Sequence, residues 1–169
     1  DLFPTICDIL EIDKPHWLSG KSIKGIMDGE VEEVNDSVYA EVNYHAAYEP
    51  MRMVRTKDLK YIRYFNNSHD QVVPANIDNC PYKNKLIKNG IIDKYRRPEE
   101  MLFDLTIDPM EKTNLVDNEH YQNELLTMRN LLEQQMKKTD DPLLDGPIKR
   151  PENSKINSLT AIDTSGETI

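Results

Sequence analysis

Ala40-Glu41-Val42-Asn43-Tyr44-His45-Ala46-Ala47-Tyr48-Glu49-Pro50-Met51-Arg52-Met53-Val54-Arg55-Thr56 decides how this chain is read. Residues 37–42 and 51–56 are short runs rich in β-branched and aromatic residues, the composition of half-buried strands. A polar, aromatic connection joins them and carries His45 and Glu49; the second run carries Arg52 and Arg55. Thr56-Lys57-Asp58-Leu59-Lys60 is short enough to turn the chain as a hairpin into a third strand at 60–64. Residues 102–105 make a fourth.

The helices are read from period. Tyr121, Leu125, Met128, Leu132 and Met136 recur at spacings of 4, 3, 4 and 4, one apolar stripe of a helix over 119–138. Asp117 or Asn118 can cap its start, and Lys137 and Lys138 suit the negative end of its dipole. Near the N-terminus, Leu2, Phe3, Ile6, Ile9 and Leu10 fall near helical spacing, with Pro4 in the first turn and Asp13-Lys14-Pro15 as the stop. Between Phe65 and Pro98 runs a long polar insert in which 83–89 can form a short helix. A loop of that length in a compact domain is usually functional or carries its own elements. Asp108-Pro109-Met110-Glu111-Lys112-Thr113-Asn114-Leu115 reads as a turn before the long helix, Asp108 bonding backbone two residues on.

The 169 residues are 38% hydrophobic and 30% charged, enough for one domain with a core. No apolar run approaches the roughly 20 residues a membrane helix needs. The net charge of -9 is unevenly spread: residues 52–97 hold 11 of the 21 basic groups and only four acids, making that span +7 and the remainder -16. A locally positive surface draws in anionic ligands. Nucleic acid is not expected, because no binding motif accompanies the basic residues in an acidic chain. Two cysteines are too few for a disulfide framework, and Cys7 and Cys80 lack metal-ligand spacing. Ser37, His45 and Asp104 can be drawn as a triad, but with 30 acids and four histidines such a set arises by chance. Asn35-Asp36-Ser37 and Asn66-Asn67-Ser68 are glycosylation sequons.

The 40–56 block, followed by Glu100-Met101-Leu102-Phe103-Asp104-Leu105-Thr106-Ile107-Asp108-Pro109-Met110-Glu111-Lys112-Thr113-Asn114-Leu115, resembles the C-terminal subdomain of the sulfatase family. Within that family it is most like the heparan N-sulfatase (sulfamidase) branch and its bacterial relatives. Asp1-Leu2-Phe3-Pro4-Thr5-Ile6-Cys7-Asp8-Ile9-Leu10 resembles the helix that closes the sulfatase catalytic domain, and Gly20-Lys21-Ser22-Ile23 the turn after it. The resemblance spans residues 1 to about 145.

The resemblance implies an α+β fold: about four antiparallel strands with a long C-terminal helix packed on one face. Residues 1–35 would be the end of the catalytic-domain helix and a connection, 36–142 the C-terminal subdomain, and 143–169 an extended tail that can lie across a partner surface. The parent protein would hydrolyse a sulfate ester or sulfamate, on a glycosaminoglycan sugar such as N-sulfoglucosamine. The family's nucleophile is a formylglycine made from a Cys/Ser-x-Pro-x-Arg motif. Cys7 is followed by Asp8-Ile9-Leu10-Glu11 and Cys80 by Pro81-Tyr82-Lys83-Asn84, so neither fits. No catalytic residue or metal ligand is therefore expected here; formylglycine and calcium are expected in an N-terminal catalytic domain. That domain and the sulfated saccharide are the expected partners, and the compartment is periplasmic, secreted or lysosomal. The substrate-binding candidates are His45, Glu49 and Arg52, set where a strand connection can meet the pocket rim. An imidazole and a carboxylate can bind sugar hydroxyls or an amine, and a guanidinium can hold an anionic group. The competing expectation is a free-standing interaction or carbohydrate-binding module that uses the basic span without hydrolysis.

Overall fold

The computed structural model describes residues 1–66, 70–166 and 168. Asn67 and Ser68 of the second sequon lie outside them. The chain forms two compact units, Asp1–Val38 and Tyr39–Ile169.

In the first unit, α1 (Leu2–Ile9) buries Pro4, Thr5 and Cys7. The Thr5 hydroxyl donates to the Asp1 carbonyl and accepts from the Ile23 amide at 2.9 Å. Asp1 Oδ1 accepts from the Lys21 amide at 2.7 Å, and a Cβ on Gly20 would stand 2.8 Å from the Asp1 nitrogen. The close approach of the two backbones therefore requires glycine. A single helical turn, α2 (Lys24–Met27), follows. The apolar residues that mark α1 in the sequence face outward: Leu2, Phe3, Ile6, Ile9 and Leu10 are all exposed. The period was read correctly as a helix, but that stripe is not the buried one.

The second unit is built on a sheet in the order β1 (Val38–Tyr44), β2 (Tyr48–Arg55), β3 (Leu59–Tyr64), β4 (Glu100–Asp104). Strands β2 and β3, and β3 and β4, are antiparallel, and three residues join β1 to β2 as a hairpin. All four strands coincide with those read from the sequence to within a few residues. The register sets Val54 against Tyr61 and Tyr61 against Leu102. That row is fully buried beneath α4 (Gln122–Lys138), which contributes Leu125, Met128, Leu132 and Met136. Alternation along the strands places Met53, Ile62 and Met101, another register row, on the opposite face. There they are only half-buried.

Helix α4 is preceded by a 3-10 turn at Glu119–Tyr121, where the Asn118 side chain accepts from the His120 amide at 2.9 Å. The block before it is a stitch to β4. Asp108 Oδ2 accepts from the Lys112 and Thr113 amides, four and five residues on rather than two. Asn114 accepts from the Leu102 amide and donates to the Glu100 carbonyl.

The insert carries a 3-10 turn at Pro74–Asn76 and α3 (Pro81–Lys88), the helix read at 83–89 with its start two residues earlier. The tail lies along its own unit. The Ile148 backbone is gripped by the Tyr44 and Tyr48 hydroxyls at 2.8 and 2.9 Å. The Asn157 amide donates to the Ala46 carbonyl, and the Ala75 amide to the Ala161 carbonyl. Ala46, Ala47, Val73, Ala75 and Ala161 thereby form a small second core.

Candidate functional site

That second core lies directly beneath the β1–β2 connection, so insert and tail together hold His45-Ala46-Ala47 rigid. The turn closes on itself, with the His45 amide donating to the Ala47 carbonyl at 3.1 Å. Ala46 and Ala47 are buried, whereas the His45 ring is exposed. A rigid scaffold that presents one polar side chain from a short loop is the usual construction of a binding position.

The imidazole does not hang free. Its Nδ1 lies 2.9 Å from Asn76 Oδ1, which also accepts from the Ala46 amide at 3.1 Å. The Asn76 carboxamide nitrogen donates to Glu49 Oε2. Glu49 Oε1 in turn accepts from Arg97 Nη1 at 2.7 Å. The Arg97 guanidinium also stacks over the Tyr64 ring, 4.2 Å from its centroid, a favourable cation–π arrangement. Burial raises the Tyr64 hydroxyl above its ordinary titration range, against the opposing pull of Arg97. One network thus runs from the exposed ring through β2 to both ends of the insert.

The three sequence candidates separate in this geometry. His45 faces solvent; Glu49, buried, supports it through Asn76. Arg52 has no exposed surface. Its Nε and Nη2 donate to the two oxygens of Asp141 at 2.5 and 2.8 Å, and its Nη1 donates to the Val42 and Met51 carbonyls and Asn43 Oδ1. Arg52 therefore does not reach outward to an anion. It holds β1, β2 and the end of α4 together from within, because β2 points alternate residues at the helix and position 52 falls on that face. Burial works against the Arg52 charge, but Asp141, with Tyr39 and Glu41, more than offsets it and holds the guanidinium above its ordinary value. Burial likewise opposes ionisation of Asp141, yet bonds from Arg52, Tyr39 and the Leu143 amide bring its carboxyl down to about 2.

Part of the basic span is committed to partners within the chain. Lys83 is buried, donating to the Ile77 carbonyl and Asn79 Oδ1. Lys60 pairs with Glu111 at 2.6 Å, and Arg96 with Asp70 at 3.4 Å. Exposed positive charge remains at Arg55, Lys57, Lys85, Lys88 and Lys94. Cys7 is buried; Cys80 is exposed and accepts from the Lys83 amide at the start of α3. Among the described residues, no group of three or more His, Cys, Asp or Glu side chains could hold a metal ion, and no helix is long and apolar enough to cross a membrane.

Asn76, Arg97 and Asp141 were not singled out from the sequence. Pro74-Ala75-Asn76 reads as a turn, but nothing local says which side chain it will meet.

No protein-family model matches the chain. It is 34% identical over 127 residues to an ulvan-active sulfatase of Formosa agariphila, covering 73% of this chain and 25% of that protein. It is 28% identical over 145 residues to a Δ4,5-hexuronate-2-O-sulfatase of Bacteroides thetaiotaomicron, covering 83% of this chain and 24% of the relative. Among solved structures, a 2-O glycosaminoglycan sulfatase superposes with a TM-score of 0.62 at 25% identity, covering 88% of this chain and 26% of that one. The chain spans about a quarter of the length of the curated relatives it matches, and the part matched is their C-terminal part.

Proposed function

We propose that this chain, which corresponds to the C-terminal part of the sulfatases, completes the fold and the substrate-pocket rim of an enzyme that hydrolyses a sulfate ester on a sulfated polysaccharide. The name hexuronate-2-O-sulfatase supports an O-linked sulfate over the sulfamate of N-sulfoglucosamine, and the name ulvan-active sulfatase supports a polysaccharide substrate. Formylglycine and calcium belong, on this reading, to an N-terminal catalytic domain, and this chain supplies neither nucleophile nor metal ligand. A substrate of polysaccharide size places the enzyme outside the cytoplasm, in the periplasm or secreted.

One observation carries the role given to this segment: His45 is an exposed imidazole at the tip of a rigid strand connection, oriented by a hydrogen-bond network that runs inward to the buried Glu49. His45 touches the saccharide, while Glu49 and Arg52 act beneath it, the first through Asn76 and the second by fixing β1 against β2. The half-buried apolar row Met53, Ile62 and Met101, on the face away from α4, is where the catalytic domain docks.

The test compares the whole protein with residues 1–169 alone on a sulfated oligosaccharide. Sulfate is released by the whole protein and not by the segment. Release by the pure segment overturns the division of labour. Binding by the segment as tight as by the whole protein, without release from either, supports a free-standing carbohydrate-binding module instead.

A further inference from the structure

We infer that Asn76 is a positioning residue that fixes the His45 proton on Nδ1, so that the outward Nε2 accepts a hydrogen bond from a saccharide hydroxyl. This rests on the reading of His45 as a rim residue and adds which group of the sugar it takes.

The inference follows from what each atom can do. The Ala46 amide can only donate, so the Asn76 atom 3.1 Å from it must be the carbonyl oxygen. Glu49 is tied to Arg97 and accepts at its other oxygen, so the Asn76 atom facing it must be the NH2 group. The carboxamide is thus oriented from both sides, and its orientation is not an arbitrary choice between look-alike atoms. Oδ1 cannot donate; the His45 Nδ1 lying 2.9 Å from it must therefore carry a proton. In the neutral ring that leaves the lone pair on Nε2, which has no partner among the described residues and stands on an exposed side chain.

A lone pair directed outward selects for a donor. A sugar hydroxyl or an ammonium group satisfies it. Sulfate and carboxylate oxygens carry no proton and are disfavoured at this position while the imidazole is neutral. Free histidine in water favours the opposite tautomer, so the lock is a property of the cluster and not of the residue. The charged groups of that cluster, Glu49 and Arg97, are paired with each other, and the group facing Nδ1 is the neutral Asn76.

Three variants of the whole enzyme test this with ring-¹⁵N-histidine labelling, and one of them, His45→Gln, identifies the His45 signal by its loss. In the unaltered protein His45 shows the proton on Nδ1. In Asn76→Ala the signal moves toward the opposite tautomer, and KM for the sulfated saccharide rises about 2–10-fold, the size of one hydrogen bond, with the change in KM rather than kcat. The exchange Glu49→Gln with Asn76→Asp keeps every donor opposite an acceptor but sets a carboxylate against Nδ1. It retains the fold and the tautomer, and moves the pH dependence of KM upward by about one unit or more. A purely structural Asn76 would leave that profile in place. A proton found on Nε2 in the unaltered protein, or an unchanged tautomer and KM in Asn76→Ala, overturns the inference. If Asn76→Ala shifts the tautomer while His45→Gln leaves KM unchanged, the lock stands, and the rim reading with its hydroxyl contact is overturned.

Discussion

Arg52 and Asp141, 89 residues apart, meet in two parallel hydrogen bonds of 2.5 and 2.8 Å, with neither side chain exposed. The pair joins the middle of β2 to a residue three beyond the end of α4. Between α4 and Asp141 the chain leaves the helix, with Asp140 in a left-handed backbone, φ 49°, and the Asp141 amide donating to the Met136 carbonyl at 2.9 Å. Tyr39 from β1 adds a third donor to the same carboxylate. Three elements distant in sequence thus converge on one buried charge pair.

Removing Arg52 leaves Asp141 as an uncompensated buried charge, and removing Asp141 leaves the buried Arg52 only the half-exposed Glu41, 3.6 Å from its Nε. Arg52→Met or Asp141→Leu alone should cost about 3–5 kcal/mol of stability, whereas the double substitution should recover most of that loss. Denaturant midpoints of the whole protein and the three variants check this. A double variant no better than the singles would show that the polar contacts around the pair, not the charge balance, carry its contribution.

The same pair makes stability depend on acid. Asp141 titrates at about 2 in the folded protein, below its ordinary value of 3.8. The folded state therefore binds that proton more weakly than the unfolded chain. The contribution is complete above about pH 4, declines as pH falls, and is gone below about pH 2. The stability difference between the unaltered protein and Asp141→Asn should be constant from pH 5 to 7 and narrow steeply below about pH 4. A difference that stays constant down to about pH 2 would rule out the pair as an acid-sensitive tie.

Beneath the sheet, Leu125 and Leu132 are 1% and 2% exposed. Leu125→Ala or Leu132→Ala should cost about 2–5 kcal/mol, the transfer energy of the lost atoms plus the cavity. Leu126, one residue from the stripe and 57% exposed, should tolerate the same change within about 0.5 kcal/mol. Thermal or denaturant unfolding of the three variants distinguishes the faces. Equal effects at 125 and 126 would contradict the packing.

What the sequence disclosed follows from the range of its signals. The β-branched and aromatic runs at 51–56 and 60–64 and the stripe from Tyr121 to Met136 are local: the runs mark strands, and the stripe marks a helix and its buried face. The outward stripe of α1 shows the limit of periodicity: Leu2, Ile6 and Ile9 mark a helix face without saying what, if anything, covers it. Arg52 was legible as a charged residue on a strand. Its partner was not, because no spacing rule couples position 52 to position 141. His45 was legible as a titratable ring on a short connection between strands, where the family resemblance sets the pocket rim. Asn76, which orients it, lies in a 3-10 turn of the insert, and only the docking of that insert and the tail on the β1–β2 connection brings the two together.

The function of that meeting can be separated from its role in folding by the choice of substrate. In the whole enzyme, His45→Ala removes one contact to a polar group and should lower kcat/KM for the sulfated saccharide by about 1–3 kcal/mol. A small aryl sulfate has no sugar to reach the rim, so its hydrolysis should be nearly unchanged. Glu49→Ala acts one step further back: it releases Asn76 and strips Arg97 of its carboxylate, so it should lose saccharide activity and stability together. Removing the carboxylate paired with the Arg97 guanidinium, whose side chain is 7% exposed, is costly whatever His45 does. A fall on both substrates for His45→Ala would mean that the ring holds the connection in place rather than the sugar. No fall on either would make it a surface residue that the network happens to orient. Only a loss confined to the saccharide assigns the exposed imidazole to substrate.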